Sequence, residues 1–118
     1  MASFSILGDL VKSIGREHVE VTLLVGPDAD AHVYEPTPGD AKAISEAEIL
    51  FMNGMGFEGW LGRLIEAAHY RKSVVVASEG ILPLELGRAG HAAMIDPHAW
   101  QSLVNVRKYV ANIASALA

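Results

Sequence analysis

The sequence contains no cysteine, which excludes disulfides and thiolate metal sites. It has no apolar run approaching the roughly 18 residues that span a bilayer. Basic residues are few, 9 against 14 acidic ones, and they form no cluster. We therefore expect no nucleic-acid partner and favour a cationic one. The G-x-S-x-G, H-E-x-x-H, P-loop and dinucleotide-binding patterns are also missing, so we expect no enzyme.

The residues that are present predict a single domain. With 118 residues, 51% of them hydrophobic, the chain can bury roughly two-thirds of its unfolded surface around one core. The N-terminal stretch MASFSILGDL has no basic region followed by a long apolar core. We therefore expect no intact secretory signal in this chain.

Short apolar strands alternate with amphipathic helices along the chain. This order predicts an α/β fold, with a four-stranded parallel sheet covered by helices on both faces and joined by right-handed crossovers. The segment from Ser78 to Ile95 lacks a periodic pattern, and we expect a functional loop there. The predicted strands are 2–4, 18–25, 48–52 and 73–77.

Two Pro-containing stretches predict helix starts. Thr37 and Pro38 have the types preferred at the N-cap and first helical position, with Asp40 three residues after Thr37. Asp96 and Pro97 repeat this signal before the last helix. That helix reaches the end of the sequence without a glycine cap or a proline stop, so we expect it to continue. Its apolar seam comprises Leu103, Val106, Val110, Ile113 and Leu117.

Two histidines are predicted to share one rim of the sheet. His32 follows the second predicted strand and His98 the fourth. Ligands of open parallel sheets bind beyond the carboxyl ends of the strands, where both residues fall. Neutral imidazoles suit Zn²⁺, and Mn²⁺ accepts them when carboxylates complete the shell. Asp30, Glu35 and Asp96 are near enough in sequence to lower the local potential or to hold the second ring nitrogens.

Five stretches carry a family resemblance: FSILGDLVKSIG, VTLLVGPDADAHVYEPTPGD, NGMGFEGWL, VVVASEGI and DPHAW. In this order they resemble the N-terminal lobe of the zinc/manganese-specific solute-binding proteins of ABC importers. The resemblance implies a bilobed receptor, periplasmic or at the cell surface, that delivers metal to a membrane permease. It places His32 and His98 on the first two metal ligands, and the other ligands on a C-terminal lobe absent from this chain.

The resemblance also implies a division of the chain. Residues 1–98 would form the metal-binding lobe, and residues 99–118 the start of a long helix that joins the two lobes. Zinc-specific members often carry a histidine-rich insertion before the second ligand, where this chain has only His91. Zinc is therefore not favoured over manganese. His91 is expected to be a solvent-exposed loop residue, or an accessory collector of metal.

Other interpretations remain open at this point. Each of the two histidines has the ordinary explanation of a loop or first-turn residue bonded to nearby backbone. A small zinc-dependent hydrolase would use Glu35 or Asp96 as the base that activates a bound water. A metal-free protein-interaction domain would use the seam of the last helix. Because that seam would be left partly uncovered, we expect the isolated chain to form a dimer or higher oligomer.

Overall fold

The structure is a computed structural model that describes residues 1–87 and 94–118. His91 lies outside the described residues. Turns of 3₁₀ helix cover Arg16–His18 and Ala99–Gln101. The α-helices are α1 (Ser5–Gly15), α2 (Pro38–Glu46), α3 (Leu61–Ala67) and α4 (Leu103–Leu117), and the strands are β1 (Ile49–Met52), β2 (Ser73–Val76), β3 (Leu84–Leu86) and β4 (Met94–Asp96).

A small parallel sheet forms the centre of the α/β fold. β1 and β2 pair in parallel from Ile49 opposite Ser73 to Met52 opposite Val76. Ala2 extends this sheet through isolated parallel bridges to Phe51 and to Leu23. The α/β class is confirmed, but four regular parallel strands are not. α1 begins at Ser5 and leaves only a short N-terminal segment to pair, and residues 18–25 form only the isolated bridge at Leu23.

The core lies between the sheet and the helices. α1 packs against α4 and α2 against α3, the pairing expected if the two pairs cover opposite faces of the sheet. Leu50 and Phe51, the central residues of β1, are buried, whereas Val74 of β2 is partly exposed, as suits a strand at the edge. The largest fully buried side chains are Tyr109, Phe51, Leu7, Ile44, Leu50, Leu61, Ile113 and Val25.

The predicted start of α2 is confirmed in detail. Thr37 is the N-cap, its hydroxyl accepts from the backbone N–H of Asp40, and the Asp40 carboxylate accepts from the backbone N–H of Thr37 at 2.7 Å. This reciprocal pair is a capping box, which satisfies N–H groups that the first turn leaves without helical partners. The helix that follows the His32 loop therefore begins at a defined residue.

The predicted loop from Ser78 to Ile95 is partly wrong. β3 lies within this region, β4 begins in it and ends at Asp96, and the two pair antiparallel from Leu84 opposite Asp96 to Leu86 opposite Met94. The predicted helix start at Asp96 is also wrong. The Asp96 carboxylate accepts from the backbone N–H of His98, which closes a local turn instead of capping a continuing helix.

α4 consequently begins at Leu103 and presents a different apolar face from the predicted seam. Tyr109 and Ile113 are fully buried, whereas Leu103 is 85% exposed. The seam prediction was right at Ile113 and wrong at Leu103 and at Val110, which is 37% exposed. Among the described residues, none of the helices is long and apolar enough to cross a membrane.

Candidate metal centre

His32 and His98 meet at one rim of the fold. Their ring centroids are 5.2 Å apart, and the side chains are 43% and 36% exposed. His32 comes after the segment that pairs with Ala2, and His98 comes after β4. The structure thus brings together two residues that are distant in sequence, although His98 follows an antiparallel strand and not a strand of the parallel sheet.

Each imidazole is held by the aspartate two residues before it. Asp30 Oδ1 lies 2.8 Å from His32 Nδ1 and accepts from the His32 backbone N–H, also at 2.8 Å. Asp96 Oδ1 lies 2.7 Å from His98 Nδ1 and accepts from the His98 backbone N–H at 2.9 Å. A carboxylate only accepts, so it favours the proton on Nδ1 and leaves the Nε2 lone pair free for a cation.

The same bonds act on the two carboxyl groups. The backbone N–H of His32, followed by its ring, lowers the pKa of Asp30. The backbone N–H of His98, followed by its ring, lowers the pKa of Asp96 in the same way. Both aspartates therefore stay ionised at neutral pH, which keeps the acceptor in place for each ring and adds negative charge beside it.

A second contact fixes the peptide group in front of each histidine. The Ala31 carbonyl accepts from the indole Nε1 of Trp60 at 2.6 Å. The Pro97 carbonyl accepts from the Asn53 side-chain amide at 2.9 Å. Since the N–H of each of these peptide groups already donates to an aspartate, both planes are held at both ends.

Aromatic rings form the floor of the site. The Phe57 ring lies 4.5 Å from the His32 ring and 6.1 Å from the His98 ring, both edge-on. Trp100 packs against Phe57 at 5.0 Å and against His98 at 5.3 Å. Phe57 is buried, so the two imidazoles rest on a surface that excludes water from below.

The aromatic residues nearest in sequence to the two histidines have different positions. Trp100 contacts His98, whereas Tyr34 packs on Trp60 and donates its hydroxyl to Asp40 at 2.9 Å. Tyr34 therefore supports the His32 loop from outside the site. Burial and the neighbouring Asp40 raise the pKa of Tyr34, so this hydroxyl remains a donor.

A buried polar network lies beneath His98. The Glu58 carboxylate accepts from the Ser3 hydroxyl at 2.6 Å, from the Asn53 N–H at 2.6 Å and from the Gly54 N–H at 3.1 Å. Gly54 has φ +81°, and a Cβ there would lie 2.5 Å from Val76 Cγ1. Only glycine fits this close turn. Sequence reasoning missed the network, although Asn53-Gly54 was a visible turn signal.

The remaining candidates contribute less. Glu35 is exposed, and Asp96 is engaged with His98. Within residues 1–87 and 94–118, no group of three or more His, Asp or Glu side chains is placed to hold a metal ion.

A cavity of about 120 Å³ lies beside His98 and is lined by Leu84 and Asp96. A larger one of about 610 Å³, lined by Val21 and Glu48, does not include either histidine.

The structure is thus an α/β lobe with two imidazole rings close together at one rim. The chain belongs to the family described as zinc-uptake complex component A, periplasmic, whose model matches residues 1–118. The resemblance noted from the sequence is therefore confirmed.

Relatives of this chain are metal-binding proteins. It is 43% identical over 112 residues to the manganese-binding lipoprotein MntA of Halalkalibacterium halodurans, covering 93% of this chain and 35% of the relative. It is 32% identical over 117 residues to the iron-binding protein YfeA of Yersinia pestis, covering 99% of this chain and 37% of the relative.

A solved structure shares the fold closely. The Mn-bound periplasmic metal binding protein from Candidatus Liberibacter asiaticus superimposes with a TM-score of 0.89 at 33% identity. The match covers 98% of this chain and 43% of that one. The chain thus spans well under half the length of these relatives.

Proposed function

We propose that this chain is the N-terminal lobe of an extracytoplasmic receptor that binds Zn²⁺ or Mn²⁺ and delivers it to an ABC importer. His32 and His98 are the metal ligands contributed by this lobe. The observation that carries the proposal is the 5.2 Å separation of their rings, each with Nδ1 against an aspartate. Membership of the zinc-uptake family supports it.

The ring separation agrees with the geometry of a shared ion. A Zn–N bond of about 2.0–2.1 Å puts an imidazole centroid about 3.2 Å from the metal, and a tetrahedral angle separates two such centroids by about 5 Å. The observed 5.2 Å fits this value. The ring separation therefore supports a shared ion between His32 and His98.

The identity of the metal depends on ligands beyond the two imidazoles. Two histidines are half of a four-coordinate shell, and we propose that the other ligands come from a second lobe. Carboxylates in that lobe would favour Mn²⁺, and a further imidazole would favour Zn²⁺. The named relatives bind manganese and iron, and the family is described by zinc, so we propose that the two imidazoles serve several divalent metals.

The proposed receptor has a permease as its partner and the periplasm or the cell surface as its location. The description of the family as a periplasmic component of an uptake complex supports both. We propose residues 1–98 as the metal-binding lobe and residues 99–118 as the entry into the helix that joins it to the second lobe. The α4 helix begins at Leu103 and packs against α1 and β2 of the proposed lobe.

The hydrolase alternative has less support. Its candidate bases were Glu35, which is exposed, and Asp96, whose carboxylate holds His98. A catalytic zinc site also needs three protein ligands and an open position. The relatives are named as binding proteins, which favours a receptor over an enzyme.

Metal titration tests the proposal. Zn²⁺ and Mn²⁺ would be titrated by calorimetry into the wild-type chain, His32→Ala, His98→Ala and the double variant. We expect weak binding by the wild type and its loss in the double variant. His18→Ala is the matched control, because the His18 side chain is 82% exposed and away from the rim.

Two outcomes would contradict the proposal. Unchanged binding in the double variant would remove both residues from the site. Hydrolysis of a generic ester that disappears with the histidines would favour the hydrolase instead.

A further inference from the structure

The peptide group between Pro97 and His98 is held at both ends. Its carbonyl accepts from Asn53 Nδ2 at 2.9 Å, and its N–H donates to Asp96 Oδ1 at 2.9 Å. Asp96 also holds the ring nitrogen of the same histidine. Because the plane of this peptide group sets the direction of the His98 Cα–Cβ bond, the Asn53 amide acts on the imidazole through the backbone.

The orientation of the Asn53 amide is determined by its partners. Nδ2 donates to the carbonyls of Pro97 at 2.9 Å and Gly54 at 3.0 Å. Carbonyls only accept, so the nitrogen must lie on this side and the oxygen on the other. The oxygen, Oδ1, accepts from the Tyr109 hydroxyl. Asn53 is fully buried, so each of these bonds replaces one that water would otherwise make.

Tyr109 brings α4 into this arrangement. It is fully buried on the face of α4 that packs into the core. Burial, followed by the negative charge of Glu58, raises the pKa of Tyr109 to about 12. Its hydroxyl therefore remains protonated and continues to donate to Asn53 at physiological pH.

We propose that Asn53 is a positioning residue for the metal ligand His98, and that Tyr109 holds the Asn53 amide in the orientation that this task requires. The inference rests on the proposed function, since it assigns a role in metal binding. Its consequence is that a shift of α4 changes the orientation of His98. The carbonyl before His32 accepts from Trp60 instead, a residue outside α4.

Tyr109→Phe is the mildest test, because it removes one hydroxyl and keeps the buried ring. Tyr70→Phe is the matched control. Tyr70 is also buried, and its hydroxyl lies 3.0 Å from the Ser73 carbonyl and 3.2 Å from the Glu48 carbonyl. It therefore loses a comparable buried hydrogen bond without touching Asn53. If both variants lose the same unfolding free energy in urea, a difference between them in the readouts below reflects the lost bond to Asn53 and not general destabilisation.

The first readout needs no metal. Long-range ¹H–¹⁵N spectra of the metal-free chain report the tautomer of each imidazole. We expect the Nδ1–H form of His98 in the wild type, and a mixture of tautomers for His98, but not for His32, in Tyr109→Phe. Tyr70→Phe should leave both rings unchanged. An unaltered His98 signal in Tyr109→Phe, or equal changes in both variants, would overturn the proposal.

The second readout is metal affinity. Co²⁺, a spectroscopic substitute for zinc, would be titrated into the same variants. We expect Tyr109→Phe to bind it about three- to tenfold more weakly, somewhat less than the change for a group that bonds a ligand directly. Tyr70→Phe should bind like the wild type. If His98→Ala leaves Co²⁺ binding intact, the metal-site proposal fails, whereas the tautomer result still decides whether Asn53 positions His98.

Discussion

In the candidate centre, His32 and His98 are each held by an aspartate, but different side chains bond the peptide carbonyl in front of each. Around His32, an aspartate holds the ring and an indole holds the preceding carbonyl. Around His98, an aspartate does the same for the ring, but a buried amide holds the carbonyl. The indole donor, Trp60, directly precedes α3. The Asn53 amide is bonded to Tyr109 of α4, so we expect the His98 half to respond to that helix.

The two halves also differ in exposure. Asp30 has a side chain 61% exposed, and Asp96 one 28% exposed. A less exposed carboxylate acts in a lower local dielectric, and its effect on the attached ring is larger. We therefore regard His98 as the more firmly oriented of the two imidazoles, and His32 as the more accessible one.

Removing each carboxylate charge should have the largest effect and should be unequal. We expect Asp96→Asn to weaken Zn²⁺ binding by about 10- to 100-fold, the range found when a group that orients a metal ligand is lost, and Asp30→Asn to lie at the lower end. Asp28→Asn, on the same exposed loop as Asp30, controls for the loss of negative charge. A larger loss for Asp30→Asn would reverse the comparison.

Removing the indole donor should affect the His32 half alone. Trp60→Phe leaves the buried Ala31 carbonyl without its donor, and we expect a loss of about 1–3 kcal/mol in unfolding free energy. His32 tautomer signals should change while those of His98 stay. Urea unfolding and the ¹⁵N spectra check this. Equal changes at both rings would show that the halves are not independent.

High pH should weaken the His98 half. The folded pKa of Tyr109 is about 12, above the ordinary tyrosine value of 10. A raised folded pKa stabilises the protein fully below the unfolded pKa, and this stability is lost as pH rises from about 10 to 12. We expect Tyr109→Phe to flatten the fall in unfolding free energy over that range. An unchanged slope would contradict the role given to Tyr109, and the Trp60 indole offers no such titration.

Self-association should give the smallest effect, and it remains a prediction. It is based on the apolar seam of the last helix, where Leu103 is 85% exposed and Val110 37% exposed. We expect light scattering to show an apparent mass that rises with concentration, less so for Leu103→Lys. Binding of a second copy at this surface would shield His98 from solvent more than His32. A constant monomer mass at high concentration would end this expectation.

Features with a local signal were predictable from the sequence. Thr37, Pro38 and Asp40 define the start of α2 within four residues, and the structure has the same start. The two histidines were found because each follows an apolar segment and an aspartate. Their meeting at one rim was predicted from the sheet order, although His98 directly follows β4, an antiparallel strand that was not predicted.

Features that depend on distant contacts were not predictable. Asn53 and Tyr109 are 56 residues apart, and neither residue alone indicates a bond between them. The β3–β4 hairpin has short strands with mostly exposed side chains, so no burial pattern marked it. The last helix begins later than expected because the Asp96 carboxylate accepts from the backbone N–H of His98 and closes a local turn.

The clamped peptide groups before His32 and His98 have a kinetic consequence. Side chains that already point in the binding direction lose little rotational freedom when an ion arrives. Capture should then be limited by diffusion and by the shedding of water from the cation. We therefore expect the association rates of different metals, measured by rapid mixing, to follow the water-exchange rates of the metals, because the binding side chains need not rearrange.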